Sequence, residues 1–376
     1  MAVKKNKKET DIEDNNESST GSKPSLKESL KALQLVKNKL KKKMELNDTT
    51  EVKEYEVVST GSATIDEASG IGGLATGRCY LLYGLESSGK SSICYSIVHQ
   101  FQKAYPEKFV AYVDAEQAVS IPYMQQFGVN LDALDFQQPT TAEEALTIID
   151  EYAASGAVSL IILDSIASML TKAQLERDID QKTMGSLPGV LGVALTRIKN
   201  TCKANNVTLV MVNQVRDKIT MFGGGGFSLP GGHAPRFYSS MMIEIKKRDI
   251  VTENDVAVGQ TMQCSFKKNK LGTPYAICET KLIFGKGFDF QSEYFDIAVD
   301  KGIINKSGAW YDWTSLDGSS VKFQGKINSV VYLKNDPKEF DHLKTLVKNS
   351  GGANIVTLSK EEQLLLEQEE ENLAEE

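Results

Sequence analysis

The chain has 376 residues, of which 41% are hydrophobic and 25% are charged, which is the balance of a globular protein. That length allows one large domain with smaller appendages, and no stretch approaches the roughly 18 uninterrupted apolar residues of a membrane span. The formal charge of −7 is unevenly distributed, because residues 1–46 hold 12 lysines against seven acidic residues while 361–376 hold eight glutamates and no base. The net charge therefore does not exclude a nucleic-acid partner.

The cysteines are scattered and include no CxxC pair, which disfavours both a zinc site and a disulfide framework. They are Cys79, Cys94, Cys202, Cys264 and Cys278. The lysine-rich N-terminus lacks the apolar segment of a secretory signal. We therefore expect a cytoplasmic protein with reduced thiols and no membrane partner.

The first 55 residues divide into two predicted parts. Residues 1–24 are polar and are expected to be a disordered extension. From 25 to 55 a capping-box spacing, Ser25 to Glu28, precedes leucines at helical intervals, which predicts an amphipathic helix followed by a linker. The helix packs either on its own domain or on a neighbouring subunit, where it would serve oligomerisation.

Apolar strands alternate with helical segments, such as 141–154 and 188–203, over residues 56–288. This pattern predicts an α/β core with a mostly parallel sheet covered on both faces. The predicted strands are Tyr80–Tyr83, Phe109–Val113, Val158–Leu163, Thr208–Val212 and Met241–Ile245. Residues 289–350, with a short helix near 338–348, predict a small α+β domain, and 351–376 form an acidic tail.

The segment GLESSGKSS fits the pattern G-x-x-x-x-G-K-[ST] of a phosphate-binding loop. Its glycines let successive backbone N–H groups point at phosphate oxygens, its lysine meets the β- and γ-phosphates, and its serine hydroxyl meets Mg²⁺. The segment also lies between a strand and a helix, as this mechanism requires. The residues expected to bind ATP here are Gly84, Glu86, Ser87, Ser88, Gly89, Lys90, Ser91 and Ser92.

Three polar residues follow other predicted strands, at the sheet edge where such folds bind ligands. Asp164 is expected to hold Mg²⁺ together with Ser91. Glu116 is placed to polarise the attacking water, and Gln214 to sense the γ-phosphate. Each has a structural alternative: a helix cap, a surface salt bridge and a satisfied amide, respectively. The residues alone thus predict a Mg²⁺-dependent ATPase.

The order and spacing of several motifs resemble the RecA family of bacterial DNA strand-exchange recombinases. They are STGSATIDEASGIGGLATGR, LYGLESSGKSS, VDAEQA, SGAVSLIILDSIASM, VNQVRDKI, GGHAPRFYSS, KKNK, GKGFDF and KSGAWY. The resemblance implies a P-loop NTPase of the RecA type, with a mostly parallel central sheet, an N-terminal helix and a small α+β C-terminal domain.

The same resemblance implies roles for individual residues. Glu116 is the catalytic glutamate, and Lys90 and Gln214 act with it. Other implied positions are Tyr123, Phe284 and Gly285 around the adenine, Lys268 and Lys270 at the ATP of the adjacent subunit, and Arg236 and Phe237 at the subunit interface. The sequence departs from the family at Gln117, where a histidine is usual, and at Ser120, where an aspartate is usual.

Two segments are implied to hold DNA, namely 176–187 and 215–232. A cationic and apolar composition suits that role, because phosphates need cations and bases need flat or apolar partners. The residues concerned are Met184, Gly185, Arg216, Lys218, Phe222, Gly231 and Gly232. An idle surface loop is the alternative. Four lysines of the C-terminal domain either gather duplex DNA or form a solvated face, namely Lys322, Lys326, Lys334 and Lys338. In the first case the glutamate-rich tail would compete with the DNA for these lysines.

These features predict an ATP-dependent recombinase that forms filaments on single-stranded DNA and pairs it with a homologous duplex in DNA repair. A hexameric DNA helicase on the same core is one alternative. An accessory filament protein that barely hydrolyses ATP is another.

Overall fold

A computed structural model describes residues 55–176, 186–218, 226–350 and 356–357, together with five residues near the N-terminus. Those five, Lys31, Leu35, Val36, Asn38 and Lys39, are helical, as the predicted N-terminal helix requires. The remainder of 1–54, and with it the predicted extension, lies outside the described residues, as does most of the predicted tail. The chain divides into two compact units, Met1–Glu54 and Tyr55–Glu376.

The second unit holds all of the strands of the described chain. They are β1 (Val57–Val58), β2 (Leu74–Ala75), β3 (Cys79–Gly84), β4 (Phe109–Asp114), β5 (Leu134–Gln137), β6 (Val158–Asp164), β7 (Thr208–Gln214), β8 (Arg216–Lys218), β9 (Gly226–Ser228), β10 (Met241–Glu253), β11 (Val256–Asn269), β12 (Ala276–Ile283), β13 (Gly287–Phe288), β14 (Asn305–Ser307), β15 (Trp310–Thr314), β16 (Ser320–Gln324) and β17 (Val356–Thr357).

The helices of this unit alternate with the strands over most of its length. They are α1 (Ala63–Ala68), α2 (Lys90–Ala104), α3 (Ile121–Gln126), α4 (Ala142–Ser155), α5 (Lys172–Leu175), α6 (Ser186–Asn205), α7 (Ala234–Tyr238), α8 (Phe290–Asp300), α9 (Lys326–Asn335) and α10 (Pro337–Asn349). No helix of the described part combines the length and apolar character needed to cross a membrane.

Within the described chain, one large sheet has the order β13-β12-β11-β10-β3-β7-β6-β4-β5, with β17 beside β12. The six strands from β10 to β5 in this order are all parallel to their neighbours, which confirms the predicted parallel core. Strands β11, β12, β13 and β17 extend the sheet with antiparallel pairs. The five predicted strands are present, whereas β5, β11 and β12 were not predicted.

Apolar clusters cover both faces of this sheet. Along β3, Tyr80 and Leu82 join the cluster that includes α2, while Cys79 and Leu81 join the cluster that includes α4 and α6. Successive side chains of a strand point to opposite faces, so an unbroken apolar strand is the mark of burial on both sides. The five cysteines have free thiols, and all except the half-buried Cys278 are fully buried.

Residues after β13 form a smaller arrangement with its own core. Strands β14, β15 and β16 make an antiparallel sheet that packs with α8, α9 and α10. Trp313 is buried there, and its indole Nε1 donates a hydrogen bond to Glu339 at 3.0 Å. This is the small α+β architecture predicted for 289–350.

A pair of buried carboxyl groups connects the start of the core to α8. Asp66 on α1 accepts hydrogen bonds from the hydroxyl of Ser59 and from the backbone N–H (2.8 Å) and hydroxyl (2.7 Å) of Thr60. Glu293 on α8 accepts from the hydroxyl of Ser62 at 2.9 Å. Burial raises the pKa of Asp66 to about 7, and the nearby Glu293 carboxylate adds to this rise.

Asp66 is expected to make the protein less stable as the pH rises. Its pKa in the folded state lies above the unfolded value of 3.8, so its stabilising contribution is complete below that value and is lost as the pH passes through 7. Relative to Asp66→Asn, the wild type should lose about 2 to 3 kcal/mol of unfolding free energy between pH 5 and pH 8. Urea unfolding of both proteins measures this difference.

The exposed Asp300 at the end of α8 provides the matched control. Asp300→Asn should keep a constant offset from the wild type across the same pH range. Equal pH dependence in Asp66→Asn and Asp300→Asn would contradict the prediction.

Candidate nucleotide site

The phosphate loop, residues 84–92, connects the end of β3 to the start of α2. Gly89 precedes the helix with φ of 97°, and a Cβ there would lie 2.5 Å from the sulfur of Met262. A Cβ at Gly84 would lie 2.1 Å from the carbonyl oxygen of Ile245. Both positions therefore require glycine, one for its conformation and one for close packing. The N-terminus of α2, which is the positive end of the helix dipole, lies in this loop and favours an anion bound there.

Lys90 is buried in the loop that it would serve. Its Nζ donates to the carbonyl oxygens of Leu85 at 2.7 Å and Gly84 at 3.2 Å. Burial lowers the pKa of this amine, while the Asp164 and Glu116 carboxylates oppose the change. A desolvated ammonium group gains most from a nearby phosphate, so the position suits triphosphate binding.

Ser91 and Asp164 meet across the site. The Ser91 hydroxyl donates to Asp164 Oδ2 at 2.8 Å, and the buried Tyr112 hydroxyl donates to the same oxygen at 2.8 Å. Burial raises the pKa of Asp164, which means that its negative charge lacks sufficient compensation from the protein. A carboxylate beside a hydroxyl is an oxygen donor set that fits Mg²⁺ completed by water and phosphate oxygens.

Glu116 and Gln214 form the third part of the site. The Gln214 amide nitrogen donates to both carboxylate oxygens of Glu116, at 3.2 and 3.1 Å. The Ser165 hydroxyl donates to the same carboxylate at 3.3 Å, and the backbone N–H of Glu116 donates to the backbone carbonyl oxygen of Asp164 at 3.1 Å. The carboxylate is therefore held beside the predicted metal ligands and can orient a water molecule.

A cavity of about 380 Å³ contains these groups. The predicted residues that line it are Glu86, Ser87, Gly89, Lys90, Ser91, Ser92, Glu116, Tyr123, Asp164, Gln214 and Phe284. Gly84, Ser88 and Gly285 do not line it; the first two are buried inside the loop, and Gly285 packs against Gln126.

Three further lining residues, Lys247, Gln260 and Leu282, were missed from the sequence. They lie on β10, β11 and β12. Leu282 lies two residues before the predicted Phe284, and side chains two apart on a strand share a face. This spacing could have indicated Leu282, but the strand that carries it was not predicted.

The predicted interface residues lie on the opposite edge of the sheet from the phosphate loop. Lys268 Nζ donates to the carbonyl oxygens of Arg236 (2.5 Å) and Phe237 (3.2 Å), and Lys270 Nζ lies 5.9 Å from the Phe237 ring centroid. The backbone N–H of Lys270 donates to the carbonyl oxygen of Ser240, and the N–H of Ser240 donates to the carbonyl oxygen of Cys79. Cys79 begins β3, whereas the phosphate loop follows the end of β3. One chain therefore cannot bring both groups to one nucleotide.

The predicted DNA segments are described only in part. Met184, Gly185 and Phe222 lie outside the described residues. Arg216 and Lys218 belong to β8, which pairs with β9, so the segment 215–232 contains a two-stranded sheet where only a loop was predicted. A Cβ at Gly231 would lie 2.7 Å from Leu191. A Cβ at Gly232 would lie 3.0 Å from Pro188, which also belongs to α6. The second segment therefore packs on the start of α6, next to the end of the first.

Ion pairs reduce the charge of the predicted lysine face. Lys326 pairs with Asp296 at 2.6 Å, and Lys334 pairs with Asp289 at 2.9 Å. Lys322 Nζ lies 5.4 Å from the ring of the half-exposed Trp310. A cation beside an exposed aromatic ring can contact phosphate and base together, so the region around Trp310 is the better candidate for nucleic-acid contact.

Comparison with known proteins agrees with this geometry. A model of the RecA N-terminal domain matches residues 26–289, and a model of the RecA C-terminal domain matches 292–352. The curated relatives named Protein RecA include that of Thermotoga maritima, which is 34% identical over 321 residues (85% of this chain, 89% of the relative). That of Desulforapulum autotrophicum is 36% identical over 307 residues (82% and 87%), and that of Ruminococcus albus is 33% identical over 357 residues (94% and 87%). The chain therefore belongs to the RecA family of recombinases, which are DNA-dependent ATPases.

Proposed function

We propose that this chain binds ATP and Mg²⁺ in the cavity beside the phosphate loop and assembles on single-stranded DNA into a filament that pairs with a homologous duplex. The observation that carries the proposal is that the two groups of residues predicted to contact ATP lie at opposite ends of the strands of one sheet. Lys90 lies at one edge, and Lys268 and Lys270 lie at the other.

Within one chain, each group has a role in hydrolysis. The loop N–H groups and Lys90 would bind the β- and γ-phosphates, and Ser91 and Asp164 would hold Mg²⁺, which would supply positive charge to the phosphate oxygens. Glu116 orients the attacking water and accepts its proton. Gln214 contacts the γ-phosphate and thereby exchanges its hydrogen bond to Glu116 for one to the ligand.

Opposite-edge contacts imply head-to-tail assembly. The lysines of one chain reach the nucleotide bound by the next, so each interface uses two different surfaces. An assembly of this kind either closes into a ring or continues as a helix. Phe237 is 68% exposed and lies beside Lys270, which makes it an apolar candidate for the same interface.

The connection from nucleotide to DNA is short. Gln214 ends β7, and the N–H of the next residue, Val215, donates to the carbonyl oxygen of Gly84 in the phosphate loop at 3.2 Å. Strand β8, which begins at Arg216, follows at once. A movement of Gln214 on loss of the γ-phosphate would therefore act on the root of the predicted DNA segment.

Electron microscopy and an ATPase assay test this function together. With single-stranded DNA and a slowly hydrolysed ATP analogue, we expect open helical filaments, and with ATP we expect hydrolysis that rises on addition of the DNA. Lys90→Ala serves as the control and should show neither. Closed rings of six would favour a helicase, and DNA-independent hydrolysis would contradict the proposal.

A further inference from the structure

Gln260 lies in the middle of β11 and faces the nucleotide cavity. Its neighbours across the sheet are Ile250 on β10 and Leu282 on β12. Only 4% of the residue is exposed, yet it lines the cavity, and its amide nitrogen lies 3.0 Å from the position that a Cβ on Gly89 would occupy. The side chain therefore lies immediately beside the end of the phosphate loop.

The Gln260 amide makes no side-chain hydrogen bond with any residue that the structure describes. Other glutamines have partners: Gln263, three residues along the same strand, accepts from Arg248 at 2.6 Å, and Gln138 donates to Asp114 at 3.1 Å. The amide is not one of the fully enclosed polar groups of the described chain, because the side chain opens onto the cavity, where water or a ligand can reach it. An amide that faces a binding cavity is satisfied when its ligand supplies the missing groups.

The surroundings of Gln260 indicate which part of a nucleotide it meets. Leu282 packs beside it at the Gly89 position, and Phe284 and Tyr123 line the same cavity. Apolar and aromatic walls suit the flat base, and a polar side chain beside them can fix the orientation of that base. The phosphates already have the loop N–H groups and Lys90, so they do not require this amide.

We propose that Gln260 recognises the adenine base, so that the affinity for ATP depends on the amino group of adenine. The amide oxygen accepts a hydrogen bond from the exocyclic N6 amino group, and the amide nitrogen donates to the adjacent ring nitrogen, which is the pairing that glutamine makes with adenine elsewhere. This inference deepens the proposed function and rests on it, because it concerns the same nucleotide.

A comparison of two ligands with two variants tests the contact. The ligands are ATP and purine riboside triphosphate, which differs from ATP only in having hydrogen in place of the amino group. The variants are Gln260→Met, which keeps a side chain of similar length, and Gln263→Met, on the same strand but outside the cavity. Isothermal titration calorimetry gives the dissociation constants, and thermal unfolding verifies that each variant folds.

The wild type and Gln263→Met should bind ATP about tenfold more tightly than the analogue. Gln260→Met should bind the two ligands with dissociation constants within about twofold of each other. If Gln260→Met retains the tenfold preference, or weakens both ligands by the same factor, the amide does not recognise the amino group and the inference is wrong. The proposed function fails separately, if the wild type binds neither ligand or if Lys90→Ala binds both as the wild type does.

Discussion

Glu116→Ala is expected to reduce DNA-stimulated ATP hydrolysis by at least about 100-fold, the usual effect of removing a general base. ATP binding should persist, because the phosphates are bound by the loop and Lys90 and not by this carboxylate. Glu116 accepts two hydrogen bonds from Gln214 and one from Ser165 in the structure. The carboxylate is thus already fixed where a water molecule would need it.

Steady-state hydrolysis with and without single-stranded DNA measures this effect, and calorimetry measures the retained binding. Glu151→Ala, at an exposed position of α4, is the matched control and should hydrolyse ATP at the wild-type rate. Lys90→Ala should lose both binding and hydrolysis, which separates the two roles. Hydrolysis by Glu116→Ala at the wild-type rate would reject the assignment of this glutamate.

Mixing two inactive variants is expected to restore activity. Glu116→Ala lacks the water-orienting group but keeps its lysines, whereas Lys268→Gln lacks one lysine but keeps an intact cavity. If each site combines the cavity of one chain with the lysines of the next, an equal mixture forms a complete site at about a quarter of its interfaces. Hydrolysis on single-stranded DNA should rise towards that fraction of the wild-type rate.

Lys268 also hydrogen-bonds the carbonyl oxygens of Arg236 and Phe237, so its replacement requires a test of folding. Thermal unfolding of Lys268→Gln and its binding of ATP provide that test. A mixture in which Lys90→Ala replaces Lys268→Gln is the control, since both partners then lack a group of the same cavity and no complete site can form. Absence of recovery from correctly folded variants would place Lys268 outside the site.

The elements that were predicted correctly are those with the strongest apolar patterns. Strands such as Val158–Asp164 are buried along their entire length, and this burial requires a mostly apolar run, here Leu160–Leu163, that is visible in the sequence. By contrast, β11 carries several polar residues because it leads from the cavity to the opposite edge of the sheet. Its mixed composition conceals the strand, and with it the position of Gln260.

The candidate site shows the same division. The phosphate loop is contiguous, so its spacing alone predicts a nucleotide site. Glu116, Asp164 and Gln214 were predicted because parallel strands bring their ends to one edge of the sheet. The hydrogen bond of Tyr112 to Asp164 joins residues 52 positions apart, and no local pattern indicates it. The ion pairs of Lys326 and Lys334 likewise depend on the packing of α8 and α9.

Strand β11 has a consequence for the periodicity of the assembly. Gln260 faces the cavity of its own chain, and Lys268 lies eight residues further along the same strand. If Lys268 meets the nucleotide of the next chain, about 26 Å of continuous β-strand spans successive ATP molecules. Their separation would then be set by a rigid element inside the sheet and not by a hinge. Loss of one γ-phosphate would then move the neighbouring subunit as a rigid body. The pitch of the polymer would therefore depend on how many sites hold ATP.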